Sequence, residues 1–147
     1  MKKKLDWEID FYKFLDKNKN RPFEWGKWDC ICMSNEIVKV ISGETLLPKS
    51  WQKWKDELEA VKAIMKLSNG QGLAVGIQNA INKTTGWSAI NKNFVTTGDL
   101  IVFQLLDGDG DSISAIHNGF GAICSSDDGI DIKSDINITH VWRLADV

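Results

Sequence analysis

The sequence has few of the residues that mark disordered, fibrous or membrane-spanning proteins. Only two of its 147 residues are proline and twelve are glycine, whereas 43% are hydrophobic, which is enough to bury a core. Its apolar runs, such as residues 100–103, are short, far below the roughly 20 residues that cross a bilayer. The composition therefore predicts one globular domain over residues 1–147, with no membrane as a partner.

A secretion signal is also lacking. The basic start, Met-Lys-Lys-Lys, is followed by acidic residues at positions 6, 8 and 10, where the apolar stretch of a signal peptide would have to be. We therefore expect the chain to start here and to be made in the cytoplasm.

Neither sign of charge dominates, because the net charge is only −2. The charge is uneven along the chain: residues 1–66 carry a net +3, whereas residues 93–132 contain seven aspartates and neither lysine nor arginine. The second half would repel a polyanion. A phosphate-binding glycine loop and a basic-aromatic stripe are both missing, so we expect no nucleic-acid partner.

Cysteine is scarce and odd in number, with thiols at positions 30, 32 and 124. A chain of this size does not need disulfides, so at least one thiol is expected to be free. One Cys-x-Cys pair, one distant cysteine and two histidines do not have the spacing of a zinc site. We expect neither a metal nor a cofactor.

The acidic segment 107–111 imitates the first half of a calcium-binding loop, with aspartate at every second position. Ser112 and Asn118 stand where such a loop needs its turn glycine and its bidentate glutamate. Asp-Gly pairs are typical of hairpin turns. The segment therefore predicts a solvated turn between two strands.

Helical spacing of apolar residues dominates the first half of the chain, and short strand-like segments dominate the second half. Helices are predicted over residues 5–16, 30–42, 51–67 and 73–81. Strands are predicted over residues 100–106, 113–117, 120–124, 130–132 and 138–144. The expected fold class is α+β, with N-terminal helices packed on a C-terminal antiparallel β-sheet.

Cys30 is the residue best placed for chemistry, because it is predicted to open a helix that Asp29 caps and Gly43 ends. Free N–H groups and the helix dipole stabilise a thiolate at that position and would make it a nucleophile. The alternative is that Cys30, which lies on the apolar stripe of the helix, is a small buried hydrophobe. Both interpretations remain open.

A thiol nucleophile needs a base, and the chain has only two histidines, His117 and His140. His117 is predicted on the return strand of the hairpin and His140 on the last strand. Strand periodicity does not decide whether His117 faces the Cys30 helix or points away from it. For each histidine the alternative is a solvated ring at the end of a strand.

These segments resemble the NlpC-type papain-like cysteine peptidases, which have Asp-Cys-Ser at the nucleophile and Gly-Asp-Leu before a His-Val-Gly-Ile strand. The matching segments are Asp29-Cys30, 98–103 and 113–119. A closer likeness is to a family of small uncharacterised phage proteins encoded among tail genes. These share a Trp-Gly-x-x-Asp-Cys opening, a Ser-Gly or Thr-Gly after the helix, the Gly-Asp step and a terminal Trp-Arg.

In this chain the shared motifs are found at positions 25–30, 42–43, 98–99 and 142–143. The likeness covers residues 23–144, which would form the papain-like core, and leaves residues 1–22 as an N-terminal helix and loop.

The resemblance implies an NlpC-type papain-like fold and thiol attack on an amide bond in peptidoglycan peptides. In that mechanism Cys30 is the nucleophile, His117 is the base, and backbone N–H groups around Cys30 stabilise the oxyanion. Matching Gly119 to the family's strand-ending glycine puts the catalytic-histidine position at Ile113, about 13 Å along the strand from His117. Either the strand register shifts so that His117 approaches Cys30, or the base is missing. The orienting third residue is unassigned, with Asp131 as a candidate.

Three functions are compatible with these features. The first is a cysteine peptidase or amidase at the tail tip or baseplate of a phage. The second is the same fold without catalysis, acting as a structural component of tail assembly through contacts with other tail or baseplate proteins. The third is a phage-encoded inhibitor of a host protein. For the first two, we expect synthesis in the cytoplasm of a bacterial host and a final location in the virion tail.

Overall fold

The computed structural model describes residues 1–48 and 52–147, in which helices precede a single antiparallel sheet. The helices are α1 (Trp7–Asn18), α2 (Cys30–Ser42), α3 (Glu57–Leu67) and α4 (Leu73–Asn82). The strands are β1 (Trp87–Ala89), β2 (Leu100–Leu105), β3 (Ile113–His117), β4 (Ala122–Ser126), β5 (Gly129–Lys133) and β6 (Ile136–Leu144). This arrangement confirms the α+β class and the order of helices and sheet.

The six strands lie in the order β1-β6-β2-β3-β4-β5, and every neighbouring pair is antiparallel. β2 and β3 form the predicted hairpin, and β6 crosses back to lie between β1 and β2. Across residues 1–48 and 52–147, we find no helix with both the length and the apolar character needed to cross a bilayer.

The boundaries of α2 confirm the predicted caps. The Asp29 side chain accepts a hydrogen bond from the Cys32 N–H at 2.9 Å, which satisfies one free donor in the first turn. Gly43 ends the helix with a φ of 87°, a left-handed conformation that costs glycine little.

α3 begins later than predicted, at Glu57 rather than at position 51. Asp56 caps this helix, because its carboxylate accepts the Glu59 N–H at 2.8 Å. Residues 52–55 are not helical, and position 51 lies outside the described residues. The apolar spacing extends to residues before the first helical residue, because the capping residue Asp56, and not the apolar pattern, determines where the helix begins.

Several strand boundaries also differ from the prediction: β5 spans Gly129–Lys133 and β6 begins at Ile136, so both start earlier than expected. β4 begins at Ala122 rather than at residue 120, because the Asn118 side chain accepts the N–H groups of Phe120 and Gly121 in a turn, each at 2.9 Å. β1, a strand of three residues, was not predicted because it is too short for a periodic pattern.

Successive side chains of a strand point to opposite sides, so the sheet has a helix face and a far face. On the helix face α1, α2 and α4 pack against one cluster of sheet residues, which are Leu100, Val102, Ile116, Ile123, Trp142 and Leu144. A separate cluster forms the far face, with Ile101, Phe103, Ala115, Ala122, Cys124 and Val141. Functional side chains can therefore be assigned to one face or the other.

The Gly-Asp step and the terminal Trp-Arg pair are joined to each other in the fold. The fully buried Asp99 carboxylate accepts two hydrogen bonds from Arg143, at 2.9 Å from Nε and 2.8 Å from Nη2. Arg143 also donates to the Phe94 carbonyl at 2.8 Å. This bidentate pair ties β6 to the start of β2, so these two motifs have a structural role.

Candidate functional site

A groove opens at the N-terminus of α2, between α3, the start of α4 and the β2–β3 hairpin. Its volume is about 580 Å³, and most of its lining is apolar. Its lining includes Cys30, Val61, Met65, Asp109, Asp111 and Ser114. The groove therefore places the predicted nucleophile beside a concave surface large enough to hold a ligand.

Cys30 is a free, half-buried thiol at this groove. Burial raises the pKa of the Cys30 thiol above its ordinary value, and the negative charge of Asp29 raises it further. A backbone hydrogen bond from Ser125 and the charge of Lys133 offset these effects only in part. The thiol is therefore protonated at neutral pH, which favours the small-hydrophobe interpretation over an activated nucleophile.

Asp29 does more than cap α2, because its buried carboxylate collects donors from three parts of the chain. Besides the Cys32 N–H, it accepts the Gly26 N–H at 2.8 Å and the Trp54 indole N–H at 2.6 Å. The Cys32 thiol also donates to it at 3.4 Å. Asp29 thus fastens the preceding loop and Trp54 to the helix terminus, and its oxygens are fully used.

The backbone conformation of Gly26 and the space around it explain why the Trp-Gly-x-x-Asp-Cys motif has a glycine at this position. Its φ is 77°, and a Cβ at this position would lie 2.2 Å from the Trp54 carbonyl oxygen, which is too close for any side chain. The glycine and the aspartate of the motif therefore build the turn before Cys30 and hold Trp54 against it.

His117 lies on the far face of the sheet, away from the Cys30 helix. It pairs with Ala122 and follows Ala115 by two residues, and both alanines belong to the far-face cluster. Its Nδ1 accepts the Gly119 N–H at 3.0 Å, and burial lowers the pKa of the ring while the Asp99 charge opposes that shift. Within the described chain no hydrogen bond or ion pair joins His117 to Cys30, so the structure does not bring these two predicted site residues together.

The other candidates for a base or an orienting residue are also engaged elsewhere. His140 is exposed, its ring stacks on Trp142 with 5.7 Å between centroids, and its Nδ1 lies 2.9 Å from the Thr139 hydroxyl. Asp131, on β5, forms an ion pair with Lys133 at 3.2 Å. In residues 1–48 and 52–147, no group of three or more His, Cys, Asp or Glu side chains is placed to hold a metal ion.

Ser114 lies at the site although no sequence motif marks it. It is 2% exposed on the helix face of β3 and lines the groove, and its hydroxyl has no hydrogen-bond partner within the described parts of the chain. Burying an unpartnered hydroxyl costs free energy. The available signal was the alternation of the strand, because a serine at an inward position between Ile113 and Ile116 is unusual for a core strand.

The fold and the site define a class of protein: an α+β chain in which a helix opened by an Asp-Cys step packs on an antiparallel sheet beside a groove. The chain belongs to a family described as "Domain of unknown function (DUF6950)", whose model it matches over residues 2–144. Comparison with curated proteins and with solved structures gave no match.

Proposed function

We propose that this protein is a catalytically degenerate papain-like module of the NlpC type that serves as a structural component of phage tail assembly. The observation that supports the loss of catalysis is the position of His117 on the far face of the sheet, opposite the Cys30 helix. The tail context is supported by the likeness of the Trp25–Cys30 segment and of the Ser-Gly, Gly-Asp and Trp-Arg pairs to phage tail-cluster proteins.

Amide hydrolysis by a cysteine nucleophile needs a base within about 2.6–3.2 Å of the sulfur, either directly or through one water molecule. A side chain on the opposite face of a packed sheet does not meet that requirement, because the strand backbones lie between the two groups. The raised pKa of the Cys30 thiol points the same way, since only the thiolate attacks an amide carbon efficiently. The geometry therefore supports the non-catalytic function better than peptidoglycan hydrolysis.

The scaffold keeps a groove and exposed apolar side chains, which suit contact with another protein. Val61 and Met65 on the groove wall are 41% and 42% exposed, and Trp25 at its edge is 38% exposed. We assign these contacts to other tail or baseplate proteins and place the assembled protein in the virion tail.

The first test measures the reactivity of Cys30. Iodoacetamide alkylation is followed by mass spectrometry from about pH 5 to pH 10 in the wild type and in His117→Ala, with Cys30→Ser to identify the Cys30 signal. Because Cys32 and Cys124 are buried, Cys30 should dominate the signal. We expect the rate to rise only at alkaline pH, with the same profile in His117→Ala and in the matched variant His140→Ala.

A peptidase would give the opposite profile. Its Cys30 alkylation would reach a plateau near neutral pH, and His117→Ala would abolish that plateau while His140→Ala would not. Release of new amino termini from peptidoglycan peptides, lost in Cys30→Ser, would likewise refute the non-catalytic proposal.

The second test concerns assembly. The chain is co-expressed with the other tail proteins of its phage, with an affinity tag on each of those proteins in turn. We expect it to co-purify in a fixed ratio with at least one of them. A monomer that binds none of them would count against the structural role.

A further inference from the structure

We propose that the groove beside Cys30 binds an extended protein segment that combines apolar side chains with lysine or arginine. The inference rests on the proposed function, which it deepens by naming the kind of segment that a tail partner inserts. Three independent properties of the groove support it: the apolar wall, the sign of its charges, and an unpartnered hydroxyl on its floor.

The apolar wall belongs to α3. Leu58, Val61 and Met65 recur at i, i+3 and i+7, so they form one stripe along the helix. All three are exposed, Leu58 to 63%, and Val61 and Met65 line the groove. An apolar stripe beside a concave surface favours an occupant that covers it with its own apolar side chains.

Among residues 1–48 and 52–147, every charged side chain that lines the groove is acidic. Asp29 is saturated by its own donors, but Glu57 and Asp111 form no ion pair with any residue in the ranges 1–48 and 52–147, and Asp109 accepts only the Asp111 N–H. No lysine or arginine among the described residues lines the groove to neutralise these carboxylates. The complementary occupant is therefore cationic, and a phosphate or an acidic peptide would be repelled.

On the floor of the groove, the Ser114 hydroxyl has no hydrogen-bond partner among residues 1–48 and 52–147. An extended segment has free backbone N–H and C=O groups, and a hydroxyl can donate to one or accept from the other. A bound segment that reaches the Ser114 side chain would thus supply a hydrogen bond that no described residue makes to this hydroxyl. This requirement favours a peptide backbone over a purely apolar ligand such as a lipid chain.

The probe is a ten-residue peptide of alternating leucine and lysine with fluorescein at one end, titrated with the full chain and followed by fluorescence anisotropy. Two matched peptides replace lysine by glutamate or leucine by serine. We expect the leucine-lysine peptide to bind at least tenfold more tightly than either, because each matched peptide loses one of the two required properties.

Variants locate the binding site. The double variant Asp109→Asn, Asp111→Asn should weaken binding of the leucine-lysine peptide by about three- to tenfold. The matched control, Asp127→Asn, Asp128→Asn, removes the same charge from the turn between β4 and β5 and should leave binding unchanged.

Two further readouts address the groove floor. Saturating peptide should slow the alkylation of Cys30 at least tenfold, because Cys30 lies in the same groove. Ser114→Ala should weaken binding about threefold without lowering the unfolding midpoint, because the hydroxyl makes no hydrogen bond to any described residue.

The inference would be overturned if the glutamate peptide bound as tightly as the leucine-lysine peptide, or if both double aspartate variants weakened binding equally. It would also be overturned if saturating peptide did not slow the alkylation of Cys30. Failure of the inference and failure of the proposed function give different results. If no peptide binds while a tail protein still co-purifies, the groove assignment is wrong and the structural role stands. If the peptide binds and is cleaved, the groove assignment stands and the non-catalytic function is wrong.

Discussion

Two aspartates in this protein cap helices, and replacing each by asparagine should have very different effects on stability. Asp56 makes one capping bond, to the Glu59 N–H at the surface. Asp29 is buried, and besides its capping bond from the Cys32 N–H it accepts hydrogen bonds from the Gly26 N–H and the Trp54 indole N–H. Because asparagine caps helices about as well as aspartate, Asp56→Asn should change stability by only a few tenths of a kcal/mol.

The expected loss of unfolding free energy in Asp29→Asn follows from the number of N–H donors that the carboxylate serves. Asparagine has one side-chain oxygen, so if that oxygen serves Gly26 and Trp54, its amide group faces the Cys32 N–H and the capping bond is lost. A buried donor without an acceptor costs about 1–3 kcal/mol. Each of the two remaining bonds falls from charged to neutral strength, which costs about 1 kcal/mol more. The expected loss of unfolding free energy is about 3–5 kcal/mol.

Urea unfolding followed by tryptophan fluorescence measures both variants under identical conditions. Circular dichroism of each variant first checks that the fold is retained. An Asp29→Asn loss below about 1 kcal/mol, or one equal to that of Asp56→Asn, would refute the reasoning that Asp29 holds the loop and Trp54 as well as the helix.

The remaining predictions concern titratable groups outside the groove. Burial lowers the pKa of His117, so the unfolded chain takes up a proton first as the pH falls, and the free energy of unfolding should decrease below about pH 6.5. In His117→Asn the amide oxygen can accept the Gly119 N–H in place of Nδ1, so acid unfolding curves of this variant should show a smaller loss. Burial raises the pKa of the Cys124 thiol to about 12, so stability should fall as the pH rises above about 9, and Cys124→Ala should flatten that slope by about 1.4 kcal/mol per pH unit in urea unfolding. Arg143→Ala leaves the buried Asp99 carboxylate without its cationic partner and should lower the free energy of unfolding by about 3 kcal/mol. Arg143→Lys should recover less than half of that stability, because an ammonium group does not match both carboxylate oxygens. A loss below about 1 kcal/mol in Arg143→Ala would contradict this account.

Much of the fold could be predicted because the determining signals are local. The Asp29 cap and the terminating Gly43 define α2 within a few residues of chain, and the Asp-Gly turn identifies the β2–β3 hairpin. Predictions were wrong where a side chain acts against the apolar pattern. Asp56 starts α3 later than the apolar spacing indicates, and the Asn118 side chain delays β4.

The site was harder to predict, because it depends on which face a strand turns towards a helix. Strand alternation placed His117 with Ala115, but the face that α2 covers depends on long-range packing. The helix-terminal position of Cys30 left an activated thiolate and a small buried hydrophobe both open, and only burial, together with Asp29, shows that the pKa of the thiol is raised. Burial is a property of the assembled fold, so no local pattern contains it.

The sequence by itself determined the α+β class, the Asp29-Cys30 helix opening and the scarcity of histidine, because capping, periodicity and composition act over short stretches of chain. Only the tertiary structure decided that His117 and Cys30 lie on different sides of the sheet, and that Asp99 and Arg143, 44 residues apart, form one ion pair. It also gathered acidic side chains, an apolar stripe and the Ser114 hydroxyl around one groove. The physical reason is that strand pairing and helix packing bring together residues distant in the chain, and the environment they create sets both pKa values and binding surfaces.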